Sequence, residues 1–482
     1  MTEFQVARAA QFAGGIVEGE GLSARITSVE IDSHRVRAGS LFIALAGTRT
    51  DGHAHVNDAF ARGAVGCVVG PSAEPLSPEY ADRALIRVKY PKKALADIAS
   101  AHRRQLRCPV IAVTGTNGKS STREMIAKVL APLGAVVQSE KSFNNDLGVP
   151  LTILRADSDT VALVVEMGTS NRGEIAHLCE IARPDVGVII NVAAAHLEGL
   201  RSEQGVAREK GALAEALPRD GTLILNADDP RVLEMAGRTQ AERVVTYSVE
   251  RTTATVWGHA PERTPQGVAA WLYGKMRLEL PVPGLHNVSN ALAAVAVGML
   301  QGVTAEEMRV ALVDVKLPEM RMQVRTVGDV TFVLDCYNSN PASLNAAVDE
   351  LSARANRRRR VVIMGDMLEL GLHTERLHRE AGARLKGKTD VLWCVGPESK
   401  ATAAAAVEAG LHPEQVFWSA TTEAATQDRH VQLSSGDAVL FKGSRAMGLE
   451  RLANWLAEGL ENGVGVETPV MGERSATARR VG

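Results

Sequence analysis

The chain contains the stretch Val110-Ile-Ala-Val-Thr114-Gly115-Thr116-Asn117-Gly118-Lys119-Ser120-Ser121, in which an apolar, β-branched run leads into a glycine loop. The run predicts a buried strand, and the residues from Lys119 onward predict a helix. Backbone N–H groups of such a loop, with the positive end of the helix, attract an anion. Lys119 adds a point charge for the β- and γ-phosphates of a nucleotide, and the Ser120 hydroxyl can bind magnesium. The stretch therefore predicts a phosphate-binding loop over residues 115–121.

The spacing of this loop is tighter than in the common phosphate loop. In the pattern G-x-x-x-x-G-K-[ST] the first glycine would stand at Val113, whereas here it is Gly115. A bare Gly-Lys-Ser could equally be an ordinary turn. The strand before the loop and the helix after it favour the phosphate interpretation.

Apolar strands alternate with amphipathic helices on both sides of residue 320. Predicted strands lie at 110–114, 161–166, 186–192 and 223–226, and then at 330–335, 361–365, 391–396, 416–418 and 438–442. This alternation predicts two mostly parallel α/β sheets, the second of dinucleotide-fold type but without a glycine fingerprint. A smaller α/β module precedes them. The predicted domains are 1–85, 92–315 and 316–459, and the aperiodic tail 460–482 is predicted to be disordered.

Composition restricts the class of protein. A net charge of -2 gives no electrostatic reason for a nucleic-acid or membrane-surface partner. No apolar stretch reaches the roughly 18 residues that cross a bilayer, and no signal sequence is evident. The five cysteines show neither metal-site nor disulfide spacing, which fits a reducing cytoplasm. The arginine run 357–360 precedes a predicted strand, so a solvated loop is preferred to a nucleic-acid site.

Further polar strings follow the loop in a fixed order. They are Ser142-Phe-Asn144-Asn145, Glu166-Met-Gly168, Asn191-Val-Ala-Ala-Ala-His196, Lys210, Asn226-Ala-Asp-Asp-Pro230 and His286-Asn287-Val-Ser-Asn290. With the tight loop, this series resembles the Mur ligase family, whose members join amino acids or peptides to a carboxylate by using ATP. The resemblance covers roughly residues 30 to 455.

Later strings distinguish branches within that family. Arg321-Met, Asp335-Cys-Tyr337-Asn338-Ser-Asn340, Gly365-Asp-Met-Leu-Glu369-Leu-Gly371 and Lys442-Gly-Ser-Arg445 are most similar to the branch that adds D-alanyl-D-alanine to a UDP-N-acetylmuramoyl tripeptide. The branch that adds the third amino acid would show Asp-Asn-Pro-Arg in its last domain, and that string is absent. The resemblance therefore implies an ATP-dependent amide ligase of peptidoglycan precursor synthesis.

Three residues are candidates for magnesium and catalysis beside Lys119 and Ser120. Glu166 ends a predicted strand, where a carboxylate faces the crevice of an open α/β sheet; a cap or surface role is the alternative. His196 follows the next strand, and a lone loop histidine is usually solvated. Lys210 lies in a predicted amphipathic helix, where a lysine is normally solvated too. The resemblance implies that His196 helps to hold a second magnesium and that Lys210 is carbamylated, which gives it anionic oxygens.

The nucleoside of ATP has its own candidates. Asn287 and Asn290 share one face of a helix, so that one can cap the helix and the other contact a purine. Asp335 can belong merely to a strand-to-helix turn. The resemblance implies instead that Asp335, Tyr337 and Asn338 lie against the ribose and base. Arginine suits a phosphate that arrives from a mobile domain, which makes Arg321 a candidate.

The UDP-muramoyl substrate is assigned to the first module and the loop at 142–150. The resemblance implies contacts from Ser33, Asn144 and Asn145. His34 stands where the family has an arginine, and Arg35 follows it, so the individual uridine contacts stay open.

The predicted reaction has two stages, because a carboxylate is a poor electrophile until it is phosphorylated. An acyl phosphate forms first, and the amine of D-alanyl-D-alanine then attacks it. The predicted partners are these small molecules, without nucleic acid or membrane insertion, and the chain is expected to act as a monomer. The alternatives are another Mur-type or folate-polyglutamylating ligase, or a non-catalytic scaffold, which would be expected to lack Lys119, Glu166, His196 or Lys210.

Overall fold

The structure is a computed structural model that describes residues 4–47, 50–355 and 358–462. Three sheets follow one another along the chain, and we name the corresponding parts the first unit (4–87), the central unit (91–312) and the third unit (323–461). The predicted three-domain α/β architecture is confirmed. The last helix continues to Glu461, so residues 460 and 461 are helical rather than disordered, and 463–482 lie outside the described residues.

The first unit is a small α/β module. Its elements are β1 (Phe4–Gln5), α1 (Val6–Ala13), β2 (Ile16–Glu18), β3 (Arg25–Ile26), β4 (Ser28–Glu30), β5 (Ser40–Ile43), α2 (Val56–Ala61), β6 (Gly66–Val69) and β7 (Ala84–Arg87). Strands β1 and β3 form a separate antiparallel pair. The main sheet has the order β2-β7-β6-β5-β4, with β2 antiparallel to the rest.

The central unit carries a nine-stranded sheet in the order β16-β15-β14-β13-β12-β11-β8-β10-β9. Its elements are α3 (Pro91–Arg103), β8 (Val110–Thr114), α4 (Lys119–Leu130), β9 (Ala135–Gln138), α5 (Gly148–Leu154), β10 (Thr160–Glu166), α6 (Glu174–Ala182), β11 (Val186–Ile189), α7 (Leu197–Leu200), α8 (Glu203–Glu215), β12 (Thr222–Asn226), α9 (Pro230–Leu233), β13 (Arg243–Ser248), β14 (Val256–Arg263), β15 (Val268–Leu272), β16 (Met276–Leu280), α10 (His286–Leu300) and α11 (Ala305–Leu312). Strands β8 to β14 are parallel, as predicted.

Helices cover both faces of the central sheet. Along β8, Val110 and Ala112 pack into one apolar cluster, and Ile111 and Val113 pack into another. Alternate residues of a strand point to opposite faces, so a strand that is apolar throughout must be buried on both. This burial explains why the unbroken β-branched run marks the centre of the sheet.

The antiparallel strands β15 and β16 extend the central sheet and were not predicted. Tight turns join them to β14 and to each other, one of them at Tyr273 and Gly274, which both have positive φ angles. The alternation of strands and helices predicted for 92–315 therefore fails at 256–280. Strand β15 packs beside α10, and β16 packs beside α11.

The third unit has a six-stranded sheet in the order β17-β18-β22-β19-β20-β21. Its elements are β17 (Gln323–Val327), β18 (Val330–Leu334), α12 (Pro341–Ala355), β19 (Arg360–Gly365), α13 (Thr374–Arg384), β20 (Val391–Val395), α14 (Ser399–Glu408), β21 (Val416–Ser419), α15 (Thr422–Asp428), β22 (Ala438–Lys442) and α16 (Leu449–Glu461). All strands except β17 are parallel. Before β19, Arg359 pairs with Asp437 at 2.6 Å, and Arg360 pairs with Asp390 at 2.8 Å. These two arginines therefore link the start of β19 to the residues just before β22 and β20, and the interpretation of this run as a solvated loop is wrong for them.

No helix among the described residues is long and apolar enough to cross a membrane. All five cysteines are buried and unpaired.

Candidate active site

A cleft of about 570 Å3 separates the central and third units, at the ends where the parallel strands of both sheets finish. Open α/β sheets place ligands outside the carboxyl ends of their strands. Most residues predicted from sequence line this cleft: Thr116, Asn117, Gly118, Lys119, Ser121, Asn144, Glu166, His196, Asn290, Arg321, Asp335, Tyr337 and Asn338. Gly115, Ser120, Ser33, Asn145, Lys210 and Asn287 do not belong to its lining.

The phosphate loop joins β8 to α4 in a conformation that requires glycine. Gly118 has a φ of +83°, and a Cβ added there would lie 2.7 Å from Asn290 Oδ1. Lys119 Nζ donates to the carbonyl oxygens of Gly115 at 2.9 Å and of Thr116 at 3.2 Å. Burial lowers the pKa of Lys119, Glu166 opposes that shift, and Arg321 adds to it. The Lys119 charge is thus held in the loop without a bonded carboxylate, ready for an anionic phosphate.

Ser120 and Glu166 lie together where the loop meets the end of β10. Ser120 Oγ donates to Glu166 Oε2 at 2.7 Å, and Asn144 Nδ2 donates to Glu166 Oε1 at 2.8 Å. Glu166 is 1% exposed, which rules out a surface role. A hydroxyl beside a carboxylate is a donor set that suits a hard cation such as magnesium. Within the described ranges no group of three or more His, Cys, Asp or Glu side chains could hold a metal alone. Magnesium that is shared with nucleotide phosphates needs only one or two protein ligands.

His196 connects the two sides of the cleft. It follows β11 in a left-handed conformation with a φ of 53°, and its Nδ1 contacts Glu369 Oε2 of the third unit. The hydrogen bond with His196 lowers the pKa of Glu369, against the raising effect of burial. Ser170 Oγ lies 3.3 Å from the same ring nitrogen. Glu369 was quoted in a string but was not predicted as a site residue, because a local pattern does not reveal a partner in another unit.

Lys210 is buried behind the phosphate loop. It lies on α8 and is 2% exposed, so the interpretation as a solvated helix lysine is wrong. Burial lowers the pKa of Lys210 well below its usual range, and the nearby Lys119 cation lowers it further, against the opposing charge of Glu209. In the part of the chain that the structure describes, its amine has no hydrogen bond or ion pair. The neighbouring Glu209 carboxylate accepts instead from the backbone N–H groups of Gly173 at 2.7 Å and Ile175 at 2.8 Å.

The two asparagines of α10 divide their tasks. Asn287 is fully buried and donates to the carbonyl of Pro283 at 2.7 Å. Asn290 donates to Asn287 Oδ1 at 2.9 Å and also lines the cleft beside Gly118. Asn287 therefore has a structural position at the start of the helix, and Asn290 is the residue placed to contact a ligand.

The third unit presents groups that are already paired with one another. Lys442 Nζ lies 2.8 Å from Asp335 Oδ2 and donates to the carbonyl of Asn338 at 2.7 Å. The Arg321 guanidinium stacks over the Tyr337 ring, 4.5 Å from its centroid. Lys442 is 2% exposed and lines the cleft. Its position at the end of the last strand is where open α/β sheets place ligand groups, but Lys442 was not predicted as a site residue.

A second cavity of about 280 Å3 lies between the first unit and helix α5. Arg35, Arg37 and Arg155 line it together with Ser28 and Glu140. The His34 side chain is 79% exposed and pairs with Asp32, so Arg35 occupies the cavity in its place. Ser33 is buried and does not line this cavity. Asn145 instead accepts from the backbone N–H groups of Leu147 and Gly148, which makes it a turn residue.

The sequence was compared with protein-family models and with known proteins. Family models for the Mur ligase middle domain, for the Mur ligase glutamate ligase domain and for the catalytic domain of the Mur ligase family match residues 113–298, 320–445 and 25–103. The UDP-N-acetylmuramoyl-tripeptide–D-alanyl-D-alanine ligase of Mycobacterium tuberculosis is 36% identical, over 95% of this chain and 98% of that protein. The enzyme of the same name from Bacillus subtilis is 34% identical, over 90% and 93%.

Solved structures show the same similarity. A crystal structure of MurF from Acinetobacter baumannii superposes with a TM-score of 0.82 at 27% identity, covering 95% of this chain and 99% of that one. The MurF ligase of Thermotoga maritima, solved in complex with ADP, gives 0.76 at 26% identity, covering 90% and 98%. The chain therefore belongs to the Mur ligase family.

Proposed function

We propose that the chain is an ATP-dependent ligase that adds D-alanyl-D-alanine to UDP-N-acetylmuramoyl-tripeptide by way of an acyl phosphate. One observation carries the proposal: the phosphate loop and Glu166 line a single cleft, and two buried residues adjoin that lining, Ser120 through its hydrogen bond to Glu166 and Lys210 through its proximity to Lys119. The similarity to ligases of that name over nearly the whole chain supports the choice of substrates.

The first step transfers the γ-phosphoryl group of ATP to the terminal carboxylate of the tripeptide. A carboxylate oxygen forms a bond to the γ-phosphorus, and the bond from that phosphorus to the bridging oxygen breaks, which releases ADP. Such a transfer depends mainly on positioning and on charge stabilisation. Lys119 moves from its loop carbonyls to the phosphates, and the loop N–H groups hold the β-phosphate.

Ser120 and Glu166 are the residues that would hold magnesium, with His196 as a further ligand. Magnesium would neutralise charge on the phosphates and shape them for in-line transfer. Asn144 donates to Glu166 Oε1 and so directs the other carboxylate oxygen toward Ser120. We also propose that His196 exchanges its contact with Glu369 for this role when substrates bind.

Lys210 is proposed to act as a carbamate. A depressed pKa keeps an amine neutral and therefore nucleophilic toward carbon dioxide, and burial depresses the pKa of Lys210. The amine nitrogen bonds to the carbon of carbon dioxide and loses a proton, which leaves an anionic carbamate. This anion would sit beside Lys119 and the metal site, where a second cation would be repelled.

The second step forms the amide bond. The dipeptide amine attacks the carbonyl carbon of the acyl phosphate, and the tetrahedral intermediate collapses with loss of phosphate and a proton. An acyl phosphate is easily hydrolysed, so the third unit must cover it. We propose that Asp335, Tyr337 and Asn338 hold the nucleoside from that side, with Arg321 near the phosphates and Asn290 opposite.

The second cavity is proposed to receive the uridine diphosphate end of the substrate. Three arginines line the cavity with two glutamates, Glu30 and Glu140, which pair with Arg35 and Arg155, so the lining has one more positive than negative charge for a pyrophosphate. The loop that carries Phe143 and Asn144 connects this cavity with the cleft. We propose Arg35 as a contact of this end of the substrate, and the contact from Ser33, which does not line the cavity, stays a prediction from the resemblance. We further propose that the protein acts as a monomer, since one chain supplies every group named in the cleft. We also propose that it acts in the cytoplasm, where its five buried cysteines would stay reduced.

Phosphate release from purified protein tests the proposal. With ATP, magnesium, UDP-N-acetylmuramoyl tripeptide and D-alanyl-D-alanine together, we expect continuous release, and omission of any one should abolish it. Tripeptides that end in diaminopimelate and in lysine are to be compared. Equal ATP turnover without the muramoyl peptide, or glutamate addition to folate, would refute the assignment.

A further inference from the structure

A reciprocal amide pair joins the phosphate loop to the third unit. Asn340 Nδ2 donates to Asn117 Oδ1 at 2.7 Å, and Asn117 Nδ2 donates to Asn340 Oδ1 at 3.3 Å. The two residues are separated by 223 positions in the chain. Asn340 is 4% exposed and does not line the cleft, so it has no direct access to a nucleotide.

The loop end of this pair is fixed in place by the central sheet. The backbone N–H of Asn117 donates to Asn191 Oδ1 at 2.8 Å, and Asn191 Nδ2 donates to the carbonyl of Asn117 at 3.1 Å. Both backbone polar groups of Asn117 are thereby occupied, and its side chain faces the third unit. Any change in the loop backbone at this residue must move that side chain.

The other end of the pair begins helix α12. Asn340 Oδ1 accepts from the backbone N–H of Ser343 at 3.0 Å, which makes it the N-cap of the helix. The segment from Asp335 to Asn338, which lines the cleft, ends just before it. Fixing Asn340 against the loop therefore also fixes the position of that segment.

Helix α12 has a second attachment to the central unit that is unrelated to phosphate. Arg263, the last residue of β14, donates to Glu350 Oε2 at 2.9 Å. Glu350 is 1% exposed and also accepts from Arg354 at 2.7 Å. This contact lies along the helix from Asn340, so it provides a matched comparison for the amide pair.

We propose that Asn340 is a positioning residue that makes docking of the third unit depend on the state of the phosphate loop, through its amide pair with Asn117. A nucleotide that binds the loop favours the Asn117 orientation seen here, in which its side chain bonds to Asn340, and this bond holds α12 and the segment before it at the cleft. Docking and nucleotide binding then strengthen each other by the same factor. The inference rests on the proposed function, in that the nucleotide is ATP.

The variant Asn340→Ser separates the pair from the helix cap. Serine is as good an N-cap as asparagine, but its side chain is too short to reach Asn117 and has no amide. Asn340→Asp keeps the cap and can still accept from Asn117 Nδ2, so it retains one of the two bonds. Arg263→Gln removes the distant attachment and leaves the phosphate loop untouched.

The experiment measures, by small-angle X-ray scattering, how much a non-hydrolysable ATP analogue with magnesium compacts each protein. Turnover and the analogue's dissociation constant are measured in parallel. For Asn340→Ser we expect loss of the added compaction, turnover lowered by about tenfold and a dissociation constant raised by a similar factor. Asn340→Asp should be intermediate. Arg263→Gln should keep the nucleotide-dependent compaction.

Two results would overturn the inference. One is wild-type compaction and turnover in a folded Asn340→Ser protein. The other is an equal loss of nucleotide-dependent compaction in Asn340→Ser and Arg263→Gln, because the amide pair would then be ordinary interface contact. A wild-type protein that lacks ligase activity but still compacts with the analogue would refute the proposed function and leave the coupling itself supported.

Discussion

The central and third units meet at the same kind of edge, the carboxyl ends of parallel strands, yet they equip it differently. At this edge the central unit has two lysines without ionic partners: Lys119 bonds only to loop carbonyls, and the buried Lys210 has no partner among the described residues. The third unit pairs its charges internally, as Lys442 does with Asp335. A charge without a partner can stabilise the charge that develops on a reacting group. A charge that is already paired instead fixes the positions of the side chains around it.

This difference predicts different consequences for mutation on the two sides. Substitutions in the central unit should act mainly on turnover, because they remove charge from the reacting phosphoryl group. Substitutions in the third unit should act mainly on the Michaelis constant for ATP, because they loosen the nucleoside. The variants below test this contrast in order of expected size.

Lys210→Ala should have the largest effect, a fall in turnover of at least about a thousandfold, because the proposed carbamate near the metal is lost. Millimolar formate or acetate should restore part of the activity, since a small carboxylate can enter the space left by the side chain. Steady-state phosphate release measures both effects. Lys210→Arg is the control and should not be rescued, because it keeps a positive charge and fills the space. Near-wild-type turnover of Lys210→Ala would end the carbamate hypothesis.

Lys119→Ala should lower turnover by roughly a hundredfold or more, with a smaller change in the Michaelis constant for ATP. The reason is that its charge acts on the transferring phosphoryl group more than on the bound nucleotide. Initial-rate kinetics over a range of ATP concentrations separate the two parameters. An effect confined to the Michaelis constant would place Lys119 with the binding residues instead.

Asp335→Ala should show the opposite pattern, with the Michaelis constant for ATP raised by about tenfold and turnover changed less. Because the change also leaves Lys442 without its carboxylate, Asp335→Asn is the matched variant and should fall between wild type and alanine. Kinetic effects of Lys119→Ala and Asp335→Ala that could not be distinguished would remove the contrast between the units.

The smallest expected effect is on stability, and Lys210→Met measures it, although this variant should lose turnover as Lys210→Ala does. The pKa of Lys210 is lowered in the folded state, so the unfolded chain binds its proton more readily and wild-type stability rises with pH up to about pH 10.4. In buffer free of carbon dioxide, methionine should therefore stabilise the protein by about 1–2 kcal/mol near neutral pH, and by less near pH 10. Thermal melts against pH measure this. The exposed Lys386→Met is the control, and a stability gain without pH dependence would contradict the assignment.

Strand positions were predictable where burial imposes an unbroken apolar run. The predicted segments 110–114 and 438–442 coincide with β8 and β22. The antiparallel strands β15 and β16 were missed because the prediction extended the βα alternation through them. Short turns, rather than helices, connect these strands.

The site residues also differ in whether a local sequence signal could predict them. Glu166 was placed by its position at the end of a strand, a local signal that the structure agrees with. Lys210 gave no local signal, because the burial of a helix lysine depends on what packs over it. The partners Glu369 and Asn340 lie 173 and 223 positions from His196 and Asn117, and no periodicity in one sequence reports such contacts. Ser33 and Asn145 were assigned by resemblance alone and stay predictions: neither lines the cleft or the second cavity, and Asn145 accepts from two backbone N–H groups of its own loop.

The central claim is that the cleft phosphorylates a carboxylate before it forms the amide bond, and oxygen transfer tests it most directly. UDP-N-acetylmuramoyl tripeptide with 18O in its terminal carboxylate is incubated with ATP, magnesium and D-alanyl-D-alanine, and the released phosphate is examined by mass spectrometry. The account predicts one 18O atom in each phosphate, because the attacking oxygen leaves with the phosphorus when the amine displaces it. Unlabelled phosphate alongside normal amide formation would contradict it.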